Sequence, residues 1–302
     1  MDRLQQMQTF IAVAEEQGFS AAARRLQQSA PAVTRAVAAL EQHLGVKLLN
    51  RTTRHVRTTE SGQRYLEDAR RILAEVEAAD EAAAGINAEP RGQLSVTAPV
   101  MFGRRFVIPG IVEYLERYPE MRVDSVFLDR AVNLLEEGLD VGIRIGELPD
   151  SSMRALRVGS VRRMLVASPA YLKQRGVPKT PQELGMHTVI ASSAGDYSAG
   201  WRFHFPDGEQ GVRVRPRLTV TTNDAAIEAA LEGLGIARLL SYQVAQELEQ
   251  GRLLTLLESF EPPPSPIHII HRTGPHSPSK VRAFIDLMAE KLRGKPALNP
   301  ES

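Results

Sequence analysis

The chain has 302 residues, 43% of them hydrophobic and 24% charged, enough for two or three compact units that each bury a core. A net charge of only +1 excludes polyanion affinity from the whole-protein field, so any such affinity has to come from local patches. The absence of cysteine excludes disulfides, thiolate metal sites and a cysteine nucleophile; no run nears the roughly 18 apolar residues of a membrane span, and no basic region followed by an apolar stretch opens the chain, so a cytoplasmic protein with no membrane partner is expected.

From Leu4 to about Ile86 the pattern is helical apart from residues 46–59. Within it "FSAAARRLQQSAPAVTRAVAALEQHLGV", residues 19–46, holds two brief helices around a tight polar turn. Ser20 is placed to cap a helix running to Leu26, and Ser29 to cap another from Ala30, where Pro31 is tolerated because the first turn needs no intrahelical N–H. In the second helix Val33, Val37, Leu40 and Leu44 share a face, which leaves Pro31, Arg35, Ala38 and Gln42 outward, flanked by Ala32 and Thr34. A helix with so small an outward face can enter a major groove closely: Thr34 and Pro31 suit a thymine methyl, Arg35 a guanine or a phosphate, and the unpaired first-turn N–H groups a phosphate. The same geometry also serves helical hairpins that never meet DNA.

The next segment, "VKLLNRTTRHVRTTESG", sets two short extended runs around residues 50–54 and gathers Lys47, Arg51, Arg54, His55 and Arg57 with no acid before Glu60. It reads as a basic hairpin wing suited to a phosphate backbone or a narrow minor groove. A long helix from Thr59 then carries Leu66, Ala69, Leu73, Val76, Ala83 and Ile86 near a 3-4 spacing, a seam for pairing two chains or for packing on its own domain.

"NAEPRGQ", residues 87–93, stops that helix and starts a strand. Beyond it extended and helical runs alternate: "LSVTAP", "IVEYLERYP", "RVDSVFL", "AVNLLEEG", "DVGIRIG", then "RRMLVASP", "HTVIAS", "LTVTTND", "AAIEAALEGLG", "IARLL", "YQVAQELEQG", and finally "PIHIIHR" with a helix from about Ser277 to Arg293. That order predicts mostly parallel sheets covered by helices. The first set lacks a closing element, so the last strand and helix are expected to return to it, giving two α/β lobes joined by two crossing strands with a ligand cleft between them.

Other motifs weigh less. His268 and His271, three apart in a strand, point to opposite faces and are a poor metal pair. Asp140 and Arg144 share a face, Asp140 suiting a structural pairing and Arg144 an anionic ligand. Trp201 shares a face with Phe203 and Phe205 and fits a core better than a ligand site. "GLG" at 233–235 is too poor in glycine for a nucleotide fingerprint, and no nucleophile elbow, phosphate loop or paired carboxylates appear. A solute receptor or a cytosolic enzyme built on the α/β half stands as the alternative to a DNA-binding regulator.

At this point the chain resembles, over essentially its whole length, the LysR-type family of bacterial transcriptional regulators. "MQTFIAVAEEQGFSAAARRLQQSAPAVTRAVAALEQHLGVKLLNRTTRHVRTTESG" is similar to that family's winged helix-turn-helix from end to end. The resemblance implies a multidomain fold: an N-terminal all-α winged helix-turn-helix (1–59), a dimerisation linker helix and hinge (60–91), and a C-terminal α/β two-lobed effector domain (92–302) like periplasmic solute-binding proteins, with lobe I about 92–163 and 267–297 and lobe II about 164–266. It implies a non-enzymatic homodimer or homotetramer that binds double-stranded promoter DNA, answers to a small-molecule co-inducer, works with RNA polymerase and needs no cofactor or metal. The family's DNA contacts carry over to Ser29, Pro31, Ala32, Thr34 and Arg35, to Arg51 and Arg54 in the wing, and to Arg24 for a phosphate. Its effector site carries over to the loop Pro99, Val100, Met101, Phe102, Gly103 and Arg104, to Arg144, and to Ser192, Trp201, Phe203, Thr222 and Asn223. Many members place a Ser or Thr in that loop to bind a carboxylate; "PVMFGRR" has none.

Overall fold

The computed structural model describes residues 2–51, 56–84, 89–130, 132–148, 153–194, 200–271 and 277–299. The chain divides into two compact units, one built mainly on Met1–Glu89 and the other on Pro90–Val132, Leu139–Thr273 and Lys280–Ser302.

In the first unit α1 (Arg3–Glu15), α2 (Phe19–Arg25) and α3 (Ala30–Leu44) are followed by β1 (Leu49–Arg51), β2 (Val56–Thr58) and the long α4 (Glu60–Ala84). The start of α2 differs from expectation: it begins at Phe19 with extended Gly18 as its cap, so Ser20 lies inside the helix. The start of α3 is as expected, with the Ser29 hydroxyl accepting the Ala32 N–H at 3.4 Å and Pro31 in the first turn, and Gly45 closes the helix at φ 70°. Phe10, Val13, Ala22, Val33, Val37, Leu40, Leu48 and Leu49 form one core. Leu66 belongs to that core and Ala69 is fully buried, so the first part of the α4 seam packs on its own domain, while Leu73 and Val76 are half-buried. Ile86, the last residue of the expected seam, lies outside the described residues, and nothing is described of the Ala83 side chain. Strands β1 and β2 pair antiparallel from Leu49–Thr58 to Arg51–Val56, making the base of the wing.

The second unit begins with β3 (Gly92–Ala98), then α5 (Val100–Phe102), a π-helical turn (Gly103–Val107) and α6 (Ile108–Arg117) in unbroken succession. Strands β4 (Met121–Phe127), β5 (Val141–Ile145) and β6 (Arg154–Val161) complete lobe I, and the chain crosses at Arg162 to β7 (Arg163–Ala167). Lobe II follows with α7 (Pro169–Arg175), β8 (Val189–Ser192), a hairpin of β9 (Gly200–Phe205) and β10 (Gly208–Arg213), β11 (Pro216–Val220), α8 (Asn223–Leu231), β12 (Ile236–Leu240), α9 (Ser241–Glu249) and β13 (Leu254–Leu256). The chain then returns as β14 (Ser265–His271) and α10 (Ser279–Arg293).

The sheets run β4-β3-β5-β14-β6 and β11-β8-β12-β7-β13. The two-lobed expectation and the return of the last strand and helix hold, since β14 pairs with β5 and β6, and Phe284 and Met288 of α10 pack on Leu94, Val96, Ile143 and Ile269. The expectation of mostly parallel sheets does not. Half the strand pairings in each sheet are antiparallel, because one strand that has crossed from the other lobe, β14 in the first sheet and β7 in the second, runs against the other four. The run "AVNLLEEG" also departs from expectation. Its described residues form turns, with the Asn133 side-chain carbonyl accepting the Leu135 N–H at 3.0 Å, an Asx turn that competes with a helix.

Candidate nucleic-acid interface and effector cleft

On α3 the residues expected to read DNA lie outward: Ser29, Pro31 and Arg35 are exposed, Ala32 and Thr34 half-exposed, while Val33, Val37 and Leu40 are fully buried. The Thr34 hydroxyl donates to the Ala30 carbonyl at 2.9 Å, which commits its proton to the helix and leaves its methyl group for an apolar contact. Arg24 on α2 is exposed, whereas its neighbour Arg25 is pinned by Glu15 at 2.7 Å. Glu15 also takes Arg70 of α4 at 2.7 Å, so one carboxylate joins α1, α2 and α4; burial pushes it up, but the two guanidinium groups outweigh that and hold it below the ordinary range. Arg54 lies outside the described residues, and of Arg51 only its backbone place in β1 is described.

Sequence reasoning missed Glu41. This acid stands at the border of the apolar face of α3 and is 3% exposed. One of its oxygens accepts the Leu48 and Leu49 N–H groups at 2.9 and 3.1 Å, and the other takes the Lys47 ammonium at 2.9 Å. Burial pushes the carboxyl up, yet Lys47 and the two amides hold it below its ordinary value. The signal was an acid inside a strongly patterned helix, six residues before a lysine.

In the second unit the carboxyl ends of the parallel strands bring several effector candidates together, as such sheets do. Met101 packs against the cores of both lobes. Arg104 is exposed and close enough to Asp224, at the start of α8, to favour its charged form. Thr222 and Asn223 open α8, and Ser192 ends β8 beside β11, its hydroxyl accepting the Ala194 N–H at 3.1 Å. Arg144 lies near the end of β5, its Nη1 donating to the Ile143 carbonyl at 3.0 Å. Asp140 instead accepts the Ser95 N–H at 2.8 Å, tying β5 to β3.

Other candidates prove to be core. Phe102 is fully buried in lobe I, stacked edge-on with Tyr242 of α9 at 5.4 Å. Trp201 and Phe203 are 7% and 3% exposed, packed with Leu165, Val189 and Ile236 on the face of the lobe II sheet opposite α8, beneath the Arg238 guanidinium. These three large rings do not line the space beside α8. Gly103 serves packing too: a Cβ there would come within 2.6 Å of the Phe127 ring.

The structure adds residues that sequence reasoning did not name. Asp129 follows β4 and accepts the Val100 N–H at 3.0 Å, so a carboxylate of the chain itself already occupies the amide at the start of the first loop. Burial pushes Asp129 up, against that hydrogen bond, and the Asp224 charge pushes it further. Asp224 is held below the ordinary range by the Thr222 hydroxyl, by backbone amides and by Arg104. Arg105 donates to the Tyr242 carbonyl at 2.6 Å, and Tyr242 sits between Phe102 and Phe106, its phenol pushed well up by burial. The first loop is therefore wired directly to a helix of the other lobe. Among the described residues no three acids or histidines come together as a metal site.

Taken together, a winged helix-turn-helix and a bilobed α/β unit define a DNA-binding regulator with an effector domain. Residues 4–63 match the model of the bacterial regulatory helix-turn-helix protein, lysR family, and residues 87–293 that of the LysR substrate binding domain. The chain is 32% identical to the transcriptional regulator CrgA of Neisseria meningitidis serogroup B over 95% of its length and 96% of CrgA, and 32% identical to the transcriptional activator AaeR of Escherichia coli K12 over 96% and 94%. The full-length structure of the Vibrio cholerae virulence activator AphB, 27% identical, superposes with a TM-score of 0.62 over 96% of this chain and 99% of AphB. The chain belongs to the LysR-type transcriptional regulators, a family of DNA-binding, effector-responsive oligomers and not an enzyme class. Among the described residues no helix is long and apolar enough to cross a membrane.

Proposed function

We propose that two copies of this chain read a two-fold promoter site in the cytoplasm, each placing α3 in a major groove through Ser29, Pro31, Ala32, Thr34 and Arg35 and its wing, with Arg51 and Arg54, against the neighbouring backbone or minor groove. Arg24 meets a phosphate. The observation that carries this reading is the outward face of α3, which is small at its N-terminus and carries one exposed guanidinium, that of Arg35. A small-molecule co-inducer binds between the lobes, against Pro99, Val100, Met101, Arg104, Arg144, Ser192, Thr222 and Asn223, and favours one arrangement of a dimer or tetramer on the promoter, where RNA polymerase is engaged. Only a ligand with different affinity for the two arrangements can do this. No cofactor, metal or catalytic step enters. The test is selection of duplexes from a random-sequence pool by the full chain. An enriched inverted repeat with half-sites a whole number of helical turns apart, about 10.5 base pairs each, is expected; a pool that stays unenriched at every salt concentration contradicts the reading.

A further inference from the structure

The short segment between α3 and the wing is gripped from three sides. From the reading helix, the Glu41 carboxylate takes the Leu48 and Leu49 N–H groups and the Lys47 ammonium. From the returning strand, the Thr59 N–H donates to the Leu48 carbonyl at 2.9 Å and the Thr59 hydroxyl to the Lys47 carbonyl at 2.8 Å. From the linker helix, the Gly62 N–H donates to the Thr59 hydroxyl oxygen at 2.9 Å, and Gly62 lies so close that a Cβ would meet the Leu48 carbonyl oxygen at 1.9 Å. Leu48 and Leu49 bury their side chains in the core at 1% and 3% exposure, which sets where the segment sits. Apolar contact is non-directional, so it leaves the tilt of the peptide planes open. The carboxylate closes that freedom, because two consecutive amides aimed at one oxygen fix the direction in which β1 leaves the core, and buried amides of this kind rarely lack an acceptor.

We propose that Glu41 is a positioning residue for DNA reading: through Leu48, Leu49 and Thr59 it locks the wing and the start of α4 to α3, so that reading helix, wing and linker helix turn as one body. This rests on the DNA-reading role of α3 and the wing. The span from major-groove helix to wing is then constant, and a rotation of α4 reorients the whole head instead of flexing the wing.

The test uses the full chain and an operator recovered by the wild type from a random duplex pool. Folded Glu41→Ala should keep protection of guanine N7 in the major groove but lose hydroxyl-radical protection of the flanking minor groove. Its dependence of log K on log salt should be shallower by about one for each phosphate that the wing no longer touches, and its affinity should fall about tenfold. Glu41→Gln, whose amide oxygen can still accept from Leu48 and Leu49, should restore the flanking protection, which a nonspecific loss of stability would not predict. Thr59→Val, nearly isosteric and without the hydroxyl, should show a partial version of the same defect even if Glu41→Ala fails to fold. Equal flanking protection and salt slope in the folded variants, or a uniform loss in both grooves, overturns the proposal. A wild type that selects no sequence overturns instead the DNA-reading role beneath it.

Discussion

The described residues proposed to meet DNA fall between Arg24 and Arg51 on two helices and a strand that follow one another, whereas those proposed for the effector come from the ends of β3, β5, β8 and β11 and the start of α8. The first site is local in sequence and framed by helical periodicity. The second exists only once two sheets are assembled. The difference shows in what surrounds each proposed site: the outward face of α3 is backed by one small core, while the segment after β3 reaches across to Tyr242 on a helix of the other lobe.

Substitutions can break that comparison. The largest expected effect is in the second unit: Phe102→Ala removes a fully buried ring shared by both lobes and should cost about 3–5 kcal/mol in thermal or denaturant unfolding, with operator affinity of the surviving folded protein unchanged. A wild-type Tm would return Phe102 to the ligand-lining set. Next, Gly62→Ala pushes a methyl group into the Leu48 carbonyl and should cost roughly 3 kcal/mol or more, with operator binding abolished together with the fold of the first unit. Gly103→Ala, which meets a ring that can turn, should cost less, about 1–3 kcal/mol, and leave DNA binding intact.

The smallest effects sharpen the contrast through pH. Glu41 is held below its ordinary value of 4.5, so its contribution to stability is present above that value and is lost as pH falls through the folded one. Asp129 is held above its ordinary value of 3.8, so its contribution is full below that value and is lost as pH rises through the folded one. In melts of the full chain across the acidic range, Glu41→Gln should therefore flatten a rise of stability with pH, and Asp129→Asn should flatten a fall. Matching slopes in wild type and variants would contradict the burial and pairing assigned to these two groups.

What was legible follows the same division. The 3.6-residue spacing of Val33, Val37 and Leu40, with the Ser29 cap and Pro31, was sufficient to place α3 and its outward face. The two-lobed order was legible from alternating runs. The strands that were missed carry little periodic signal: β6 is broken by arginines, β10 is almost wholly polar, and β13 is three residues long. Leu66 matched a dimer seam and its own core equally well, since both want an apolar residue at the same spacing. Asp129 and Asp224 lie far apart in the chain and meet only through the fold, so no local pattern could join them.

The central claim, that α3 reads sequence and does not merely attract phosphate, is tested most directly by one ratio: affinity for the selected operator over affinity for a random duplex of equal length, at matched salt, for wild type and Arg35→Ala. If Arg35 makes a bidentate base contact, the ratio should fall by roughly 1–3 kcal/mol in the variant with its Tm unchanged. A wild-type ratio near one, or a variant that weakens both duplexes equally, would contradict base reading by this helix.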